Sequence, residues 1–241
     1  MKEFILIAGP CAVESREQII RIAQKLKELG IKYLRAGAFK PRTNPNSFQG
    51  LRDEGIEYLI EAKRLTGMKI VTELMSIEQV RKYADLIDII QIGSRNMYNY
   101  ELLKELSKYD KLVILKRAFS ATYDEWINAA KYINNDKVIL CERGIRNFDN
   151  ATRNTLDIQS IPYIKHNTNY KIIVDPSHSS GIPYMVKPMS LASTIAGCDG
   201  LIIEVHDKIE EALCDKDQAI DIEELEIILK DINKIKELEV H

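Results

Sequence analysis

Residues 4–37 read FILIAGPCAVESREQIIRIAQKLKELGIKYLRAG, and this segment predicts a strand, a helix and a second strand in succession. The runs FILIAG and KYLRAG are almost continuously apolar, which is typical of strands covered on both faces in a parallel sheet. The intervening SREQIIRIAQKLKELG has Ser15 and Gln18 at the spacing of a capping box, and it ends at Gly30. The segment is therefore a β-α-β unit.

The same alternation continues along the chain. Helical patterns with a polar first residue occupy 76–84, 122–133 and 221–238. Eight alternating units over 241 residues predict an α/β protein of the (β/α)8 TIM barrel type, with a doubly wound open sheet as the alternative. No linker or second domain is visible, so we expect residues 1–241 to form a single catalytic barrel domain. The strand-like runs are FILIAG (4–9), KYLRAG (32–37), KIVTEL (69–74), DIIQIG (88–93), KLVILKR (111–117), KVILCER (137–143), KIIVDP (171–176) and GLIIEVH (200–206).

Composition excludes several classes of function. The hydrophobic content of 45% supports a sizeable core, and the formal net charge of −2 argues against general binding to nucleic acid or to a membrane surface. No apolar run approaches the roughly 20 residues that span a bilayer. The cysteines form no tight framework, which indicates reduced thiols and a cytoplasmic location. They are Cys11, Cys141, Cys198 and Cys214.

Polar and reactive side chains follow nearly every apolar run. In a barrel these C-terminal strand ends converge on one mouth, where the active sites of this fold lie. We therefore predict one catalytic mouth. The residues are Cys11, Arg35, Glu73, Arg95, Lys116 with Arg117, Glu142 with Arg143, Asp175 with His178, and Glu204 with His206.

Cations are prominent among these residues and in the loop KPRTNP (40–45). Converging positive charges repel one another unless an anion lies between them, and arginine forks match phosphate oxygens. The alternative is a structural network in which some of them pair with Glu73, Glu142 or Asp175. The full set favours a substrate with phosphate, and more than one phosphate group. The set consists of Arg35, Lys40, Arg42, Arg95, Lys116 and Arg143.

A thiol, an imidazole and two carboxylates follow predicted strands one, seven and eight, which are neighbours in a closed barrel. Such a set suits Mn²⁺, Fe²⁺, Co²⁺ or Zn²⁺ better than Mg²⁺ or Ca²⁺. The spacing matches no short metal motif, and a lone cysteine after a strand is commonly a small buried hydrophobe. The composition alone leaves both interpretations open. The four candidates are Cys11, His178, Glu204 and Asp215.

Several strand-end motifs occur in a fixed order: IAGPCAVES (7–15), LRAGAFKPRTNPNSFQG (34–50), QIGSRNMYNYELL (91–103), ILKR (114–117), CERGIRNFDNATRNTLDI (141–158), IIVDPSHSSG (172–181) and IIEVHDKIEEALCDKDQ (202–218). Together they resemble the 3-deoxy-7-phosphoheptulonate (DAHP) synthase family, type I beta. The resemblance implies a transferase in a TIM barrel that holds one divalent metal ion. The family condenses phosphoenolpyruvate with erythrose 4-phosphate and water and releases phosphate, the first step of the shikimate pathway to chorismate and the aromatic amino acids.

The resemblance also implies roles for individual residues. The metal ligands fall on Cys11, His178, Glu204 and Asp215. The phosphoenolpyruvate-binding cations fall on Arg35, Lys40, Arg95, Lys116 and Arg143, and Asp175 is placed with the substrate-binding residues. Arg42 and Thr43 face erythrose 4-phosphate, with Lys40 between the substrates. The catalytic group comprises Glu73, which helps to position the attacking water, together with Lys116, Cys11 and His178.

The chain departs from the family at CDKDQ (214–218), where the usual motif is SDGPQ. Asp215 is kept, but Asp217 is a rival ligand. Two other functions remain as alternatives. One is the sister synthase that uses arabinose 5-phosphate to make 3-deoxy-8-phosphooctulonate. The other is a non-catalytic barrel that serves as a scaffold for a shikimate-pathway partner.

Three further expectations concern regulation and assembly. Cys214 adjoins the expected ligand Asp215, so removal of the metal in air is expected to allow a Cys11–Cys214 disulfide and reversible inactivation. The predicted elements leave no room for a ferredoxin-like or chorismate mutase domain, so we expect a barrel-only form that is insensitive to aromatic amino acids. Family members are usually homo-oligomers, which implies a dimer or a tetramer here.

Overall fold

A computed structural model of the protein describes residues 4–42, 44–133 and 135–238. In these residues, eight parallel strands form a closed barrel in chain order, and the first strand pairs with the last. The TIM barrel prediction is confirmed, and the open-sheet alternative is wrong. The strands are β1 (Ile5–Gly9), β2 (Tyr33–Arg35), β3 (Lys69–Glu73), β4 (Ile89–Ile92), β5 (Leu112–Lys116), β6 (Val138–Glu142), β7 (Lys171–Val174) and β8 (Gly200–Glu204).

Helices follow the strands and form the outer layer. They are α1 (Arg16–Glu28), α2 (Asp53–Thr66), α3 (Ile77–Tyr83), α4 (Tyr100–Leu106), α5 (Tyr123–Lys131), α6 (Ser160–Asn167), α7 (Pro176–Ser180), α8 (Pro183–Ile195) and α9 (Ile222–Glu237). None of the described helices is long and apolar enough to cross a membrane.

The strands are apolar on both faces because each face is buried against a different core. Alternate residues such as Ile7, Val71 and Ile202 fill the inside of the barrel. Their neighbours, for example Ala8 and Ile203, pack outward against the helices. Burial on both sides removes the period-two alternation that a half-exposed strand would show.

Side-chain caps start all four of the predicted helices, which are α1, α3, α5 and α9. Ser15 Oγ accepts the backbone N–H of Gln18, and Ser76 does the same for Gln79. Among the described helices, only α5 has the complete reciprocal capping box, between Thr122 and its third residue Glu125. In α1 and α3 the glutamine side chain instead accepts the N–H of the residue before the cap.

The closure of the barrel sets which strand ends are neighbours. The pairing of β1 with β8 places Gly9 beside Glu204, and Cys11 follows two residues later. β7 pairs with β8 on its other side, so helix α7, which contains His178, begins next to the same strand end. Three segments that are distant in sequence therefore meet at the C-terminal mouth.

Candidate active site

A cavity of about 280 Å³ opens at the C-terminal mouth of the barrel. Most of the predicted site residues line it. Asp175 and Glu204 lie immediately behind its wall and are almost completely buried, and Thr43 lies outside the described residues. The predicted residues that line the cavity are Cys11, Arg35, Lys40, Arg42, Glu73, Arg95, Lys116, Arg143, His178 and Asp215.

The four predicted metal ligands form one cluster. One donor atom from each of Cys11, His178, Glu204 and Asp215 lies within 4.8 Å of all the others. Cys11 Sγ is 2.9 Å from Asp215 Oδ2, and His178 Nε2 is 3.4 Å from Glu204 Oε2. The rival Asp217 is exposed and does not belong to the cluster.

Asp175 fixes the orientation of His178. It is the N-cap of α7, where its carboxylate accepts the backbone N–H of His178 at 2.9 Å. The same carboxylate lies 3.1 Å from His178 Nδ1 through Oδ1. Burial lowers the pKa of His178 to about 3, so the ring is neutral near pH 7. Because Nδ1–H faces Asp175, Nε2 is left as a lone-pair donor toward the cluster.

The donor set suits a borderline divalent ion. It combines one sulfur, one imidazole nitrogen with a free lone pair and two carboxylates, all within mutual reach. Lys40 Nζ donates to Cys11 Sγ at 2.7 Å, an interaction that favours the thiolate. In the structure itself, the hydrogen bond with Cys214 and burial raise the pKa of Cys11 well above its usual value.

Two residues that the sequence did not single out hold Glu204 in place. Gln218 Nε2 donates to Glu204 Oε2 at 2.8 Å, and Arg153 Nη1 donates to Gln218 Oε1 at 2.8 Å. Arg35 Nη2 lies 3.7 Å from the same Glu204 oxygen. Gln218 belongs to the CDKDQ segment and Arg153 to the ATRNT segment, so only proximity to recognised motifs could have indicated them.

Two of the buried cations have donor atoms without hydrogen-bond partners. Among the described residues, Arg35 Nε and Nη2 and Arg143 Nη1 are buried without one. Burial lowers the pKa of Arg143 to about 10. Buried guanidinium donors that stay without an acceptor are costly, so this wall of the cavity is suited to an anion.

Other cations do pair within the protein, as the structural-network alternative proposed. Lys116 Nζ lies 2.5 Å from Asp175 Oδ2. Arg117 pairs with Glu142 at 3.0 Å and with Asp157 at 2.7 Å, outside the cavity. The prediction that all strand-end polar residues meet at the mouth was therefore wrong for Arg117, Glu142 and His206, none of which lines the cavity. Arg117, which follows β5, and Glu142, at the end of β6, form an ion pair between these two neighbouring strands.

A family model for the DAHP synthetase I family matches residues 2–239 of the chain. The phospho-2-dehydro-3-deoxyheptonate aldolase of Thermotoga maritima is 48% identical over 235 residues, which cover 96% of this chain and 70% of that protein. A crystal structure of the T. maritima DAHP synthase matches with a TM-score of 0.94 at 47% identity, covering 98% of this chain and 70% of that one. This chain belongs to the DAHP synthetase I family.

The sister enzyme is a more distant relative. The 2-dehydro-3-deoxyphosphooctonate aldolase of Geotalea uraniireducens is 30% identical over 257 residues, which cover 97% of this chain and 93% of that protein. A truncated form of the T. maritima synthase matches with a TM-score of 0.90 at 43% identity, covering 98% of this chain and 88% of that one. The comparisons thus favour the heptulonate reaction over the octulonate alternative.

In this member of the DAHP synthetase I family, Arg42 of the KPRT loop contacts the neighbouring thiols Cys214 and Cys11 through Cys214. Arg42 Nη1 donates to Cys214 Sγ at 2.9 Å and lies 3.7 Å from Asp215 Oδ2. Cys214 Sγ is in turn 3.5 Å from Cys11 Sγ. Arg42 of this cationic loop is therefore in contact with the candidate metal cluster.

Phe119 is a further DAHP synthetase I residue that the sequence analysis missed. Its ring lies under the guanidinium groups of Arg143 and Arg95, at 4.8 and 5.6 Å from the ring centroid. Cation–π contacts of this kind orient arginine side chains without using their hydrogen-bond donors. The donors of Arg143 thereby stay available to a ligand in the cavity.

Proposed function

We propose that the protein is a 3-deoxy-7-phosphoheptulonate synthase, which joins phosphoenolpyruvate to erythrose 4-phosphate and water and releases phosphate. One observation carries the proposal: a four-donor cluster suited to a divalent ion and a wall of buried cations share a single cavity. The substrates of this reaction carry the phosphates and the carboxylate that such a wall would bind. Residues 1–241 would work as one catalytic barrel, in the cytoplasm and as a homodimer or homotetramer.

The proposed ligands of the ion are Cys11, His178, Glu204 and Asp215. A Mn²⁺, Fe²⁺, Co²⁺ or Zn²⁺ ion bound there supplies Lewis-acid polarisation of the aldehyde oxygen. Arg42 and Thr43 would bind the phosphate of erythrose 4-phosphate. Asp175 would act through Lys116 and His178, because both of these side chains lie against its carboxylate. The proposed phosphoenolpyruvate ligands are Arg35, Lys40, Arg95, Lys116 and Arg143.

The proposed reaction begins when C3 of phosphoenolpyruvate attacks the aldehyde carbon. C2 then becomes electron-poor and is captured by water, and the resulting hemiketal phosphate expels phosphate. Glu73 and Lys116 would orient that water and handle its proton, which the Glu73 carboxylate would accept because the Lys116 ammonium group has no lone pair. Burial raises the pKa of Glu73, although Lys40 and Lys116 oppose the rise. The cations hold two polyanions together against their mutual repulsion.

The proposal is tested by adding divalent ions back to metal-stripped protein. Phosphoenolpyruvate is supplied with either erythrose 4-phosphate or arabinose 5-phosphate, and the phosphate and the sugar product are measured. We expect metal-dependent product formation with erythrose 4-phosphate. Turnover of arabinose 5-phosphate alone would establish the octulonate reaction instead. No phosphate release with any ion or aldose would favour the scaffold alternative.

The two neighbouring thiols are expected to form a disulfide in metal-stripped protein. Hydrogen peroxide would oxidise Cys11 and Cys214 to one disulfide and be reduced to two water molecules. The Sγ atoms lie 3.5 Å apart, so a small shift brings them to the bond length of about 2.05 Å. We expect loss of activity that a thiol reductant reverses, and protection by a bound divalent ion.

Cys214→Ser is the control for this oxidation, since it leaves Cys11 without a partner. We expect this variant to keep its activity after the same mild treatment. Peptide mapping of the oxidised protein decides the pairing. If both thiols remain free in inactivated wild-type protein, another lesion is responsible.

A further inference from the structure

Glu73 and Gln91 lie side by side on the cavity wall, at the ends of β3 and β4. The strand register pairs the two residues directly, and Gln91 Nε2 donates to Glu73 Oε2 at 3.3 Å. Gly93 leaves room for the carboxylate, because a Cβ atom at this position would lie 2.2 Å from Glu73 Oε1. The position of this carboxylate is therefore set by Gln91 on the next strand and by Gly93 just beyond the end of that strand.

The hydrogen bond also fixes the orientation of the Gln91 amide. An ionised carboxylate can only accept hydrogen bonds, so the NH2 group must face Glu73 and the amide oxygen must point elsewhere. Among the described residues, neither Gln91 Oε1 nor Glu73 Oε1 has a hydrogen-bond partner, although both atoms are buried. Both residues line the cavity.

Two buried acceptor atoms on adjacent side chains are complementary to one molecule with two O–H donors. Among the reactants of the proposed synthase, water carries both O–H donors on one oxygen atom, whereas erythrose 4-phosphate carries its two hydroxyl groups on separate carbons. A water molecule that donates both hydrogens to these oxygens turns its lone pairs toward the cavity, where an electron-poor carbon would lie.

We propose that Gln91 is a positioning residue for the reaction, and that its amide oxygen and Glu73 Oε1 together hold the water that adds to C2 of phosphoenolpyruvate. This inference rests on the proposed function. A lone pair of the water forms the C2–O bond while one of its O–H bonds breaks, and the proton passes to Glu73 Oε1. The former π electrons of phosphoenolpyruvate are already in the new C3–C bond, so the step needs no further reactant.

Gln91 also influences the protonation of Glu73. Burial raises the pKa of this carboxyl, while the charges of Lys40, Lys116 and Arg95 and the hydrogen bond from Gln91 lower it. Removal of the amide donor should therefore raise the pKa further. Because the ionised Glu73 carboxylate accepts the proton, the acid limb of the plot of kcat against pH should then move to higher pH.

Gln91→Met tests the inference, with Gln79→Met as the matched control. Gln79 is a half-buried glutamine that accepts the N–H of Met75 before α3, outside the cavity. For Gln91→Met we expect kcat to fall about tenfold to a hundredfold, the range of general-base positioning effects, with KM values close to wild-type. The acid limb should move to higher pH, and Gln79→Met should show neither change.

Gln91→Glu gives the opposite pH dependence and decides the question if Gln91→Met does not fold. At low pH its protonated carboxyl can still donate to Glu73, whereas at high pH two carboxylates repel each other. We therefore expect this variant to lose activity on the alkaline side.

An unchanged kcat and acid limb in Gln91→Met, or a loss confined to KM, would overturn the inference. The inference would also be overturned if kcat of Gln91→Glu fell on the alkaline side at the same pH as kcat of wild-type protein. Product formation by wild-type protein tests the proposed function itself, so the two failures are distinct.

Discussion

Arg143→Met is expected to raise the KM for phosphoenolpyruvate about tenfold to a hundredfold while the protein becomes no less stable. The loss of affinity corresponds to about 1.5–3 kcal/mol for hydrogen bonds to a charged group. Stability should hold or rise because Arg143 is a buried cation whose Nη1 has no hydrogen-bond partner among the described residues. Methionine keeps an apolar contact with Phe119 in place of the guanidinium.

Arg117→Met is the matched control, because Arg117 is equally buried but paired. Its removal leaves Glu142 and Asp157 without their cation. We expect it to cost about 3–5 kcal/mol of the free energy of unfolding. Initial rates against phosphoenolpyruvate concentration and thermal unfolding midpoints check both variants. A marked loss of stability in Arg143→Met with unchanged KM would show that Arg143 has a structural role instead.

Cys11→Ala is expected to lower metal-dependent turnover about a thousandfold while the barrel stays folded. A metal ion acting as a Lewis acid contributes several kcal/mol of transition-state stabilisation, and each 1.36 kcal/mol is a factor of ten in rate. The change removes the only sulfur among the four clustered donors. Bound Mn²⁺ should raise the unfolding midpoint of wild-type protein, since a ligand that binds the native state stabilises it. This shift should be absent in the variant.

Cys198→Ala provides the comparison for this change. Cys198 is buried like Cys11 but precedes β8, at the opposite end of the strand from the cavity. We expect its metal content and kcat to match wild-type. Metal analysis and initial rates measure these two quantities, and circular dichroism checks that both variants are folded. Full activity and full metal content in Cys11→Ala would remove this thiol from the ligand set.

The fold could be predicted from the sequence because its main signals are local. Strands buried on both faces give continuous apolar runs, and the polar caps Ser15, Ser76 and Thr122 mark three helix starts. Helices α2, α6 and α8 begin without a side-chain cap and were not delimited by the sequence analysis. Their positions follow from packing onto the barrel, which a short window of sequence does not contain.

The site could be located from the sequence, but its internal pairing could not. Strand-end position places Lys116 and Arg117 at the mouth equally, yet successive residues of a strand point to opposite faces. Lys116 therefore lines the cavity, whereas Arg117 pairs with Glu142 behind it. The supporting roles of Gln91 and Gln218 depend on contacts between different strands and loops, so no local pattern indicates them.

A crystal structure of the protein with Mn²⁺ and phosphoenolpyruvate, with the ion located by anomalous scattering, tests the central claim most directly. The account predicts one ion bound by Cys11, His178, Glu204 and Asp215, with the phosphoenolpyruvate anion against Lys116 and Arg143. An ion bound elsewhere, or phosphoenolpyruvate outside this cavity, would contradict it.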